Sequence, residues 1–600
     1  MVDLLKAATV LSSLCLRLVA YIFLRWIPGH HFPPLAYSLF LIYASSFFLI
    51  LNRSQRDTEK HAGNVSRRKT TGKIRSNAQT NNPAAAVVGR HANLWRLALS
   101  GLPCTKSITL ALIVFSINLA LLLGVTDLVY RARILYPNEG LSFTRLGFIS
   151  STEAKLLVRD PDTSHLPISL SYRPASDIHV TSETSWQVIG TTITHLGNET
   201  DFTGVIHFPL LEPPGQKLEW MTSNNHTGSF TIPPKPGQVL ENGAFTFFVS
   251  SCIKARFPYN PMDHALAFPG LRHMSRVLKS FSSGRFMLFL GDFIYIDVPK
   301  RFGISAEDYR REYRQVYASP DWLAVGQNLS WIHVLDDHEI ANDWDRHTSG
   351  VYKAAIDPWN HYHSAVNPPV VEKATNDDML RETATYFEFT QGPASFFLLD
   401  TRTYRSPSRG LQANDTRKTM LGPQQISDLK AFLEKPEEEG VRWKFIISSI
   451  PFTKNWRVNS LDTWAGYLHE RRVLLEAMWD VNLRGGVGVV VLSGDRHEFA
   501  ATKFPPPSTG RWPASAAVYE YSVSPMSQFY LPVSTYRQTD NEDVEIRYIP
   551  KGNSKMGVIS IEKTSHLQSS LQFKLFVDGE EVWSNIIFSP PTKEDDLNPM

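Results

Sequence analysis

The sequence predicts an α/β (α+β) domain with a sheet covered on both faces, preceded by a small all-β domain and by N-terminal transmembrane helices. Long apolar runs lie within positions 1–130, short alternating runs follow up to position 237, and apolar runs alternate with helical stretches after position 243. Because 600 residues exceed what one hydrophobic core usually supports, we expect several domains.

The N-terminal segment 1–130 is predicted to be a membrane region. Two apolar runs, at about 34–51 and 108–128, are long enough to span a bilayer. A third candidate, at about 7–27, contains Arg17 and Arg25, so we expect two or three spans. Buried core helices are the alternative, but the polar segment between the runs would not join a core.

That polar segment, 52–107, is rich in basic residues and is predicted to be a disordered loop in the cytosol. The next span would then place residues 130–600 in a lumen or outside the cell. Sequons for N-glycosylation agree with this orientation, which would make the protein a glycoprotein, although such sequons also arise by chance. They stand at Asn198, Asn225, Asn328 and Asn414, with a further one at Asn64 in the loop.

Two folded domains are predicted after the membrane region. Residues 141–237 alternate apolar and polar positions between turns, which predicts a small antiparallel β-sandwich. In residues 241–575, near-continuous apolar strands alternate with helices, as in a sheet covered on both faces, and residues 576–600 are expected to be a tail. The apolar strands are 245–252, 286–292, 331–339, 395–402, 444–451 and 487–497, and the helices include 306–318 and 423–435.

The composition excludes some functions. A net charge of +3 gives no electrostatic basis for a nucleic-acid partner, and 20% charged residues is ordinary for a globular enzyme.

Three cysteines cannot form a disulfide framework. Cys252 lies in the folded region, where it is a buried hydrophobe, a reactive thiol or a metal ligand. The sequence leaves the oligomeric state open.

Polar residues follow four of the apolar strands. Because ligands collect at the carboxyl ends of strands in such sheets, we expect these residues to lie together. One carboxylate at a strand end is more often a cap, but several at one edge repel each other unless cations neutralise them. We therefore predict a metal site with two or three ions. Its residues are Cys252, Asp292, Tyr295, Asp337, His338, Asp495 and His497.

The types of ligand indicate the metals and the chemistry. A thiolate and a phenolate favour a Lewis-acidic transition metal such as ferric iron, whereas Asp and Asn oxygens suit calcium or magnesium. A shared carboxylate can bridge two ions, which is the usual arrangement for the hydrolysis of phosphate esters.

At these residues the sequence resembles the alkaline phosphatase D (PhoD-like) family, within the calcineurin-like metallophosphoesterase superfamily. The resemblance covers about residues 241–560, and the β region before it matches the family's N-terminal domain in place and character. The motifs that carry it are SSC at 250–252, GDFIYID at 291–297, DDHEIANDW at 336–344, LDTRTYR at 399–405, DTWAGY at 462–467, LSGDRHEF at 492–499 and EYSVSPMS at 520–527.

The resemblance implies a metallophosphoesterase sandwich that binds Fe³⁺ and Ca²⁺. The resemblance implies that Cys252, Asp292 and Tyr295 hold Fe³⁺ and that Asp495 and His497 complete the cluster. Asp292 would bridge to Ca²⁺, and Asp337 and Asn342 would serve this second metal. The implied activity is a membrane-anchored phosphomonoesterase or phosphodiesterase whose nucleophile is a metal-bound hydroxide or oxide. His338 would protonate the leaving group, Asp292 would act within the catalytic cluster, and Arg496 or Arg402 would hold the phosphate.

Three other functions remain as alternatives. An inactive phosphatase-like membrane receptor or scaffold is one, although every motif keeps its ligands. An enzyme that acts on a membrane-linked phosphodiester is the second, and the site residues do not separate it from a phosphomonoesterase. A sulfatase is the third, and the lack of a C-x-P-x-R motif argues against it.

Overall fold

The computed structural model describes residues 2–68, 95–175, 185–240, 243–281, 284–370, 384–565 and 567–592. The chain divides into two compact units. One unit consists of Met1–Leu135 with Val298–Lys300, and the other consists of Tyr136–Asp297 with Arg301–Met600.

Three long helices make up most of the first unit. They are α1 (Val2–Arg25), α2 (Phe32–Arg68) and α3 (Ile108–Leu135). Each contains a stretch that is long and apolar enough to cross a membrane, by length and composition. The prediction of apolar N-terminal helices is therefore confirmed, and the weaker candidate near 7–27 is one of the three.

Polar side chains join these helices. Asn118 of α3 accepts a hydrogen bond from Arg17 of α1 at 2.9 Å and donates one to Ser13 at 2.9 Å. Thr9 of α1 donates to Ser46 of α2, also at 2.9 Å. Hydrogen bonds between side chains are typical of packed membrane helices, and they explain how α1 accommodates Arg17.

The segment 52–107, which we expected to be a disordered loop, is partly helical. Helix α2 continues to Arg68, and residues 95–100 are also helical. The apolar part of α2 supplies the helix nucleus, and each further residue then adds a hydrogen bond at little cost. Residues 69–94 lie outside the described part of the chain.

The second unit begins with two small antiparallel sheets. One contains β1 (Phe143–Ile149), β2 (Glu153–Arg159) and β5 (Thr203–Pro209), and the other contains β3 (Ile168–Pro174), β4 (Gln187–Ile193), β6 (Lys217–Thr222) and β7 (Thr227–Thr231). Leu156 and Ile206 of the first sheet share a buried core with Leu170 and Trp220 of the second.

Two larger sheets follow. The strands of the first are β8 (Phe245–Ser250), β9 (Gly284–Phe289), β10 (Ser330–His333), β18 (Lys555–Lys563), β19 (Ser569–Val577) and β20 (Glu580–Phe588). The strands of the second are β11 (Phe387–Gln391), β12 (Ala394–Leu398), β13 (Trp443–Ile447), β14 (Gly488–Ser493), β15 (Phe499–Phe504), β16 (Val518–Val523) and β17 (Val544–Ile549).

Each large sheet contains a parallel group. The six-stranded sheet has the order β10-β9-β8-β18-β19-β20, and β8, β9 and β10 are parallel. The seven-stranded sheet has the order β11-β12-β13-β14-β16-β15-β17, and β12, β13, β14 and β16 are parallel. Strands β8, β9, β12, β13 and β14 of these groups are largely apolar in sequence, as expected for strands that are buried on both faces.

An aromatic core lies between the two large sheets. The ring of Phe247 in β8 lies 5.3 Å from the rings of Phe396 in β12 and Phe445 in β13. Tyr521 in β16 stacks on Phe573 in β19 with ring centroids 4.2 Å apart. These contacts show that the two sheets pack face to face.

Helices connect many of the strands in this part of the chain. They are α4 (Pro269–Leu278), α5 (Ala306–Tyr317), α6 (Leu323–Gly326), α7 (Tyr352–Tyr362), α8 (Gly422–Glu434) and α9 (Leu468–Arg484). Helix α5 begins with a capping box, in which Ser305 and Asp308 each accept a hydrogen bond from the other's backbone N–H. In α8, Phe432 packs on Phe397 of β12 at 5.4 Å, which covers that sheet from outside.

The structure confirms a mixed α/β fold with several sheets and differs from expectation in two details. The six predicted apolar strands divide between two sheets, whereas the strand pattern by itself predicted one sheet covered on both faces. The tail expected from residue 576 begins later, because β20 pairs with β19 in an antiparallel hairpin. Asp578 and Gly579 form its two-residue turn, and both have the positive φ that such a turn requires.

Candidate metal centre

The candidate ligands follow four strands and lie close to one another. Cys252 follows β8, Asp292 follows β9, Asp337 follows β10 and Asp495 follows β14. Because β8, β9 and β10 are parallel neighbours, their carboxyl ends lie side by side. Strand β14 reaches the same point from the other sheet, since the main-chain oxygen of Asp495 lies 3.9 Å from Cys252 Sγ.

The turns after these strands use left-handed backbone conformations. The φ angle is 62° at Cys252, 58° at Asp292, 74° at Asp495 and 57° at His497. Residues other than glycine rarely adopt this region, and strain of about 1–3 kcal/mol per residue is typical of functional sites. Glycine would adopt these φ angles without strain. Because the chain has Cys, Asp, Asp and His at these positions instead, the side chains themselves are needed there.

A thiol, a phenol, a carboxylate and an imidazole meet at the centre of the site. Asp292 Oδ2 lies 3.3 Å from Cys252 Sγ and 2.8 Å from the Tyr295 hydroxyl. That hydroxyl also lies 3.1 Å from His497 Nε2. Because sulfur, oxygen and nitrogen donors converge here, the group suits a transition metal better than an alkaline-earth ion.

A second group consists of carboxylates. Asp292, Asp336, Asp337 and Asp495 each place one oxygen within 4.8 Å of the others. Within the described part of the chain, Asp336 Oδ2, Asp337 Oδ1 and Asp495 Oδ2 are buried and accept no hydrogen bond, although arginines lie 3.6 Å from Asp337 Oδ1 and 2.9 Å from Asp495 Oδ2. A buried carboxylate oxygen without a hydrogen bond is costly, so these atoms are suited to bind a cation.

Burial disfavours the ionised form of the carboxyl, thiol and phenol groups of the site. It raises the pKa of Asp292 well above its ordinary value, that of Asp336 to about 6 and that of Asp495 to about 7. Burial also raises the pKa of the Cys252 thiol and of the Tyr295 hydroxyl. A nearby cation favours the ionised form of all five groups, so the residues present fit a metal cluster.

Buried partners hold the carboxylates in position. Glu339 accepts the backbone N–H groups of Asp292 at 3.1 Å and Asp336 at 2.9 Å. Arg402 donates to Asp336 Oδ1 at 2.5 Å and to the two oxygens of Asp462 at 2.9 and 3.0 Å. Arg402 is fully buried. These bonds use Nε and one terminal nitrogen and give Arg402 a role in positioning the carboxylates. The other terminal nitrogen lies 3.6 Å from Asp337 Oδ1, and a phosphate contact for Arg402 stays a prediction.

His338 lies at the border of the cluster. Its Nδ1 lies 2.7 Å from Asp297 Oδ1, and the other Asp297 oxygen accepts the Asn342 backbone N–H at 2.8 Å. Burial lowers the pKa of His338, but Asp297 and then Asp337 outweigh it and raise that pKa well above its ordinary value. Because Nδ1 is engaged with Asp297, Nε2 is the nitrogen left to face a substrate.

Two further predicted residues lie at the edge of the site. Arg496 Nε lies 2.9 Å from Asp495 Oδ2, an ion pair without hydrogen-bond geometry, and its terminal nitrogens donate to the carbonyls of Val458 and Asn459 at 3.2 Å. Asn342 is exposed and reaches the site through its backbone N–H. A phosphate contact for Arg496 and metal ligation by Asn342 stay predictions.

Sequence reasoning missed several supporting residues. Asp297 is the last residue of the GDFIYID motif. An active-site histidine commonly pairs with a carboxylate, and this rule could have identified Asp297 as the partner of His338. Ser524 donates to Cys252 Sγ at 3.2 Å and accepts the His497 backbone N–H at 3.1 Å. No spacing rule identifies Ser524, because Ser524 and Cys252 belong to segments that are far apart in the sequence.

Comparisons with known proteins agree with this geometry. The PhoD-like phosphatase family model matches residues 247–569, which is more than half of the chain and contains all the candidate ligands. A solved structure described as that of PhoD is similar in fold, with a TM-score of 0.54 and 17% sequence identity over 76% of this chain and 91% of that chain. No curated protein matches the chain. The chain belongs to the PhoD-like phosphatase family.

Proposed function

We propose that the chain is a membrane-anchored, metal-dependent hydrolase of phosphoric esters. The observation that carries the proposal is the convergence of Cys252, Asp292, Tyr295 and His497 within the region that matches the family. A buried cluster of this kind destabilises a fold unless cations compensate its charge, so a cation-dependent function is the simplest reason for it. We assign the two facing sheets to a metallophosphoesterase sandwich.

The two groups of donors suit two kinds of cation. Cys252, Tyr295 and His497 would hold Fe³⁺, Asp337 and Asp495 would offer oxygens to Ca²⁺, and Asp292 belongs to both groups. When bound, the cations would neutralise the carboxylates and supply Lewis acidity toward the phosphate ester.

The chain's own groups would orient the ester and move its proton. Asp297 fixes His338 through Nδ1, so that Nε2 would donate its proton to the leaving-group oxygen as the ester bond breaks. Arg496 would hold a phosphate oxygen with the donor capacity that Val458 and Asn459 leave unused. The cluster supports phosphomonoesters and phosphodiesters alike.

The three apolar helices support an integral membrane location. The basic segment 52–107 favours the cytosolic side, which would place the phosphatase region on the lumenal or extracellular side. The inactive receptor or scaffold is disfavoured, because each of the four strand ends keeps its candidate ligand.

The proposal is tested with the full chain in detergent, using a chromogenic phosphomonoester and a chromogenic phosphodiester. Asp292→Asn should abolish turnover of both, because Asp292 contributes to both donor groups. The matched control is Asp480→Asn, which makes the same chemical change at the surface ion pair with Arg511 and should leave turnover intact.

Metal analysis completes the test. The unmodified chain should contain a transition metal and lose activity after chelation, and the faster ester would define the substrate class. A folded chain that retains its metals and turns over neither ester would favour the receptor or scaffold. A folded chain without metals would contradict the cluster itself.

A further inference from the structure

Two buried histidines stack on each other near the metal centre. The rings of His333 in β10 and His363, which follows α7, are parallel to within 13°, with centroids 3.7 Å apart. Both side chains are buried. In the described part of the chain, both ring nitrogens of His333 and Nδ1 of His363 have no hydrogen-bond partner. Because buried polar atoms usually have a partner, this pair needs an explanation other than packing.

The hydrogen bond that the pair does form fixes a neutral ring. The Tyr317 hydroxyl lies 3.1 Å from Nε2 of His363, and the Arg145 guanidinium interacts with the same hydroxyl. Arginine can only donate hydrogen bonds, so the Tyr317 oxygen accepts from it and the Tyr317 proton is available to His363. Nε2 then accepts this proton's hydrogen bond, which requires the neutral imidazole.

Aromatic rings enclose the stacked histidines. Phe293 meets both rings edge-on, with centroids 4.9 Å from His333 and 4.8 Å from His363. Trp331 stacks on His333 at 5.9 Å, and Tyr313 meets His363 edge-on at 5.1 Å. These surroundings do not replace the water that would solvate an imidazolium.

The neighbouring elements add a positive charge and neutral groups. Arg145 of β1 is buried and donates to the carbonyls of Trp331 and Tyr362 at 2.8 Å each. The titratable side chains that α5 and α7 contribute around the pair are Tyr313, Tyr317 and Tyr362. Burial raises the pKa of all three hydroxyls, so they stay neutral.

The carboxylates that reach these tyrosines are engaged elsewhere. Asp201 accepts the hydroxyl of Tyr362. Glu339 accepts the backbone N–H groups of Asp292 and Phe293. A proton on either histidine would therefore add a buried charge without a partner, which is strongly destabilising.

The direction of the pH effect follows from this environment. Burial lowers the pKa of both histidines well below the ordinary 6.5, and Arg145 lowers the pKa of each further. The folded chain therefore keeps both rings neutral, whereas the unfolded chain binds protons below pH 6.5. Stability from the pair is complete above that pH and is lost as the pH falls below it.

Phe293 connects the pair to the metal centre. It follows the candidate ligand Asp292, and the backbone N–H groups of these two residues donate to the same carboxylate, that of Glu339. A displacement of the stacked rings would remove the support of Phe293 and move the turn that carries Asp292.

We propose that the stacked histidines His333 and His363 are an acid-sensitive switch of the metal centre. Uptake of a proton by either ring would separate the stack, displace Phe293 and loosen the turn that carries Asp292. Release of the proton would restore the stack. This inference rests on the proposed function and names a regulation of the same site.

The test compares the full chain in detergent with His333→Phe. Because neither ring nitrogen of His333 has a partner, phenylalanine can occupy the same aromatic enclosure and cannot bind a proton. Between about pH 7.5 and about pH 5.5, the unfolding equilibrium constant of the unmodified chain should rise about tenfold relative to that of the variant. Urea unfolding measures both constants. The matched control His469→Phe makes the same change at an exposed position of α9 and should keep the pH dependence of the unmodified chain.

Metal content at the same two pH values connects the pair to the metal centre. At the lower pH the unmodified chain should lose more of its transition metal than His333→Phe does, and its turnover should fall at a higher pH. If His333→Phe does not fold, His363→Gln gives the same comparison, because its amide oxygen can accept the Tyr317 hydroxyl and does not titrate.

Two results would overturn the switch. One is an identical pH dependence of unfolding in the unmodified chain and the variant. The other is equal metal loss despite different unfolding, which would make the pair a part of the core without influence on the site. If the unmodified chain turns over neither ester at any pH, the proposed function fails, and the unfolding comparison still decides whether the pair is sensitive to acid.

Discussion

His338 Nδ1 lies 2.7 Å from Asp297 Oδ1, at the border of the metal centre. The second oxygen of Asp297 accepts the backbone N–H of Asn342, so this carboxylate has a fixed orientation. A histidine held in this way has one defined nitrogen available for proton transfer, which is a geometric requirement of an acid catalyst.

The first prediction concerns this pair. Asp297→Asn should lower kcat for phosphate esters about 10–100-fold, because an amide neither balances the charge of His338 nor fixes its orientation as strongly. KM and metal content should change little, since Asp297 is a positioning residue. Steady-state kinetics and metal analysis of the same preparation measure all three quantities. A loss of metal that parallels the loss of kcat would show that Asp297 instead holds a cation.

The second prediction concerns Arg402, whose guanidinium donates hydrogen bonds to both Asp336 and Asp462. Arg402→Gln should lower the free energy of unfolding by about 3–5 kcal/mol, because it leaves the buried carboxylate of Asp336 without its cation, while Asp462 keeps its ion pair with Arg405. Denaturant unfolding measures this difference. Arg511→Gln, at an exposed ion pair with Asp480, should cost less than about 1 kcal/mol. Equal effects of the two substitutions would contradict a structural role for Arg402.

Local sequence patterns predicted much of the fold and of the site. The helix predicted at 306–318 is observed at Ala306–Tyr317, because amphipathic spacing and the Ser305 cap act within one turn. The strand ends predicted for a similar reason that the candidate metal ligands lie close together. A buried strand followed by Asp292 or Asp495 is a local pattern, and parallel neighbours bring such ends together.

Local sequence patterns could not predict which strands pair when they lie far apart in the sequence. Strand β18 pairs with β8 in the six-stranded sheet although most of the second unit lies between them in the sequence. The partners of Arg402 likewise come from distant segments, so its sequence motif did not reveal its hydrogen bonds with Asp336 and Asp462.

The third prediction concerns stability and pH. Asp201 accepts hydrogen bonds from Arg314 at 2.7 Å, Arg159 at 3.0 Å and Tyr362 at 2.5 Å, and its side chain is 4% exposed. Burial opposes ionisation, but Arg159 and then Arg314 lower the pKa of Asp201 below its ordinary 3.8. Its stabilising contribution is therefore complete above pH 3.8 and is lost as the pH falls through the lowered pKa.

Asp201→Asn should accordingly destabilise the chain by about 3–5 kcal/mol at neutral pH, because it leaves the buried guanidinium of Arg159 without its carboxylate, while Arg314 keeps its ion pair with Glu307. Urea unfolding over a series of pH values measures the difference between the variant and the unmodified chain. That difference should shrink below pH 3.8. Asp480→Asn serves as the surface control, and a difference that stays constant with pH would contradict the ion-pair explanation.

The fourth prediction concerns membrane orientation. The sequon asparagines of the second unit are all exposed, at Asn198, Asn225, Asn328 and Asn414. If this unit lies on the lumenal or extracellular side, the full chain made in a glycosylating host should migrate faster on a gel after endoglycosidase treatment. Replacing these four residues with Gln should abolish that shift, whereas Asn64→Gln in the basic segment should not affect it. A shift that depends on Asn64 alone would reverse the orientation, because both sides of a membrane span cannot face the glycosylation machinery.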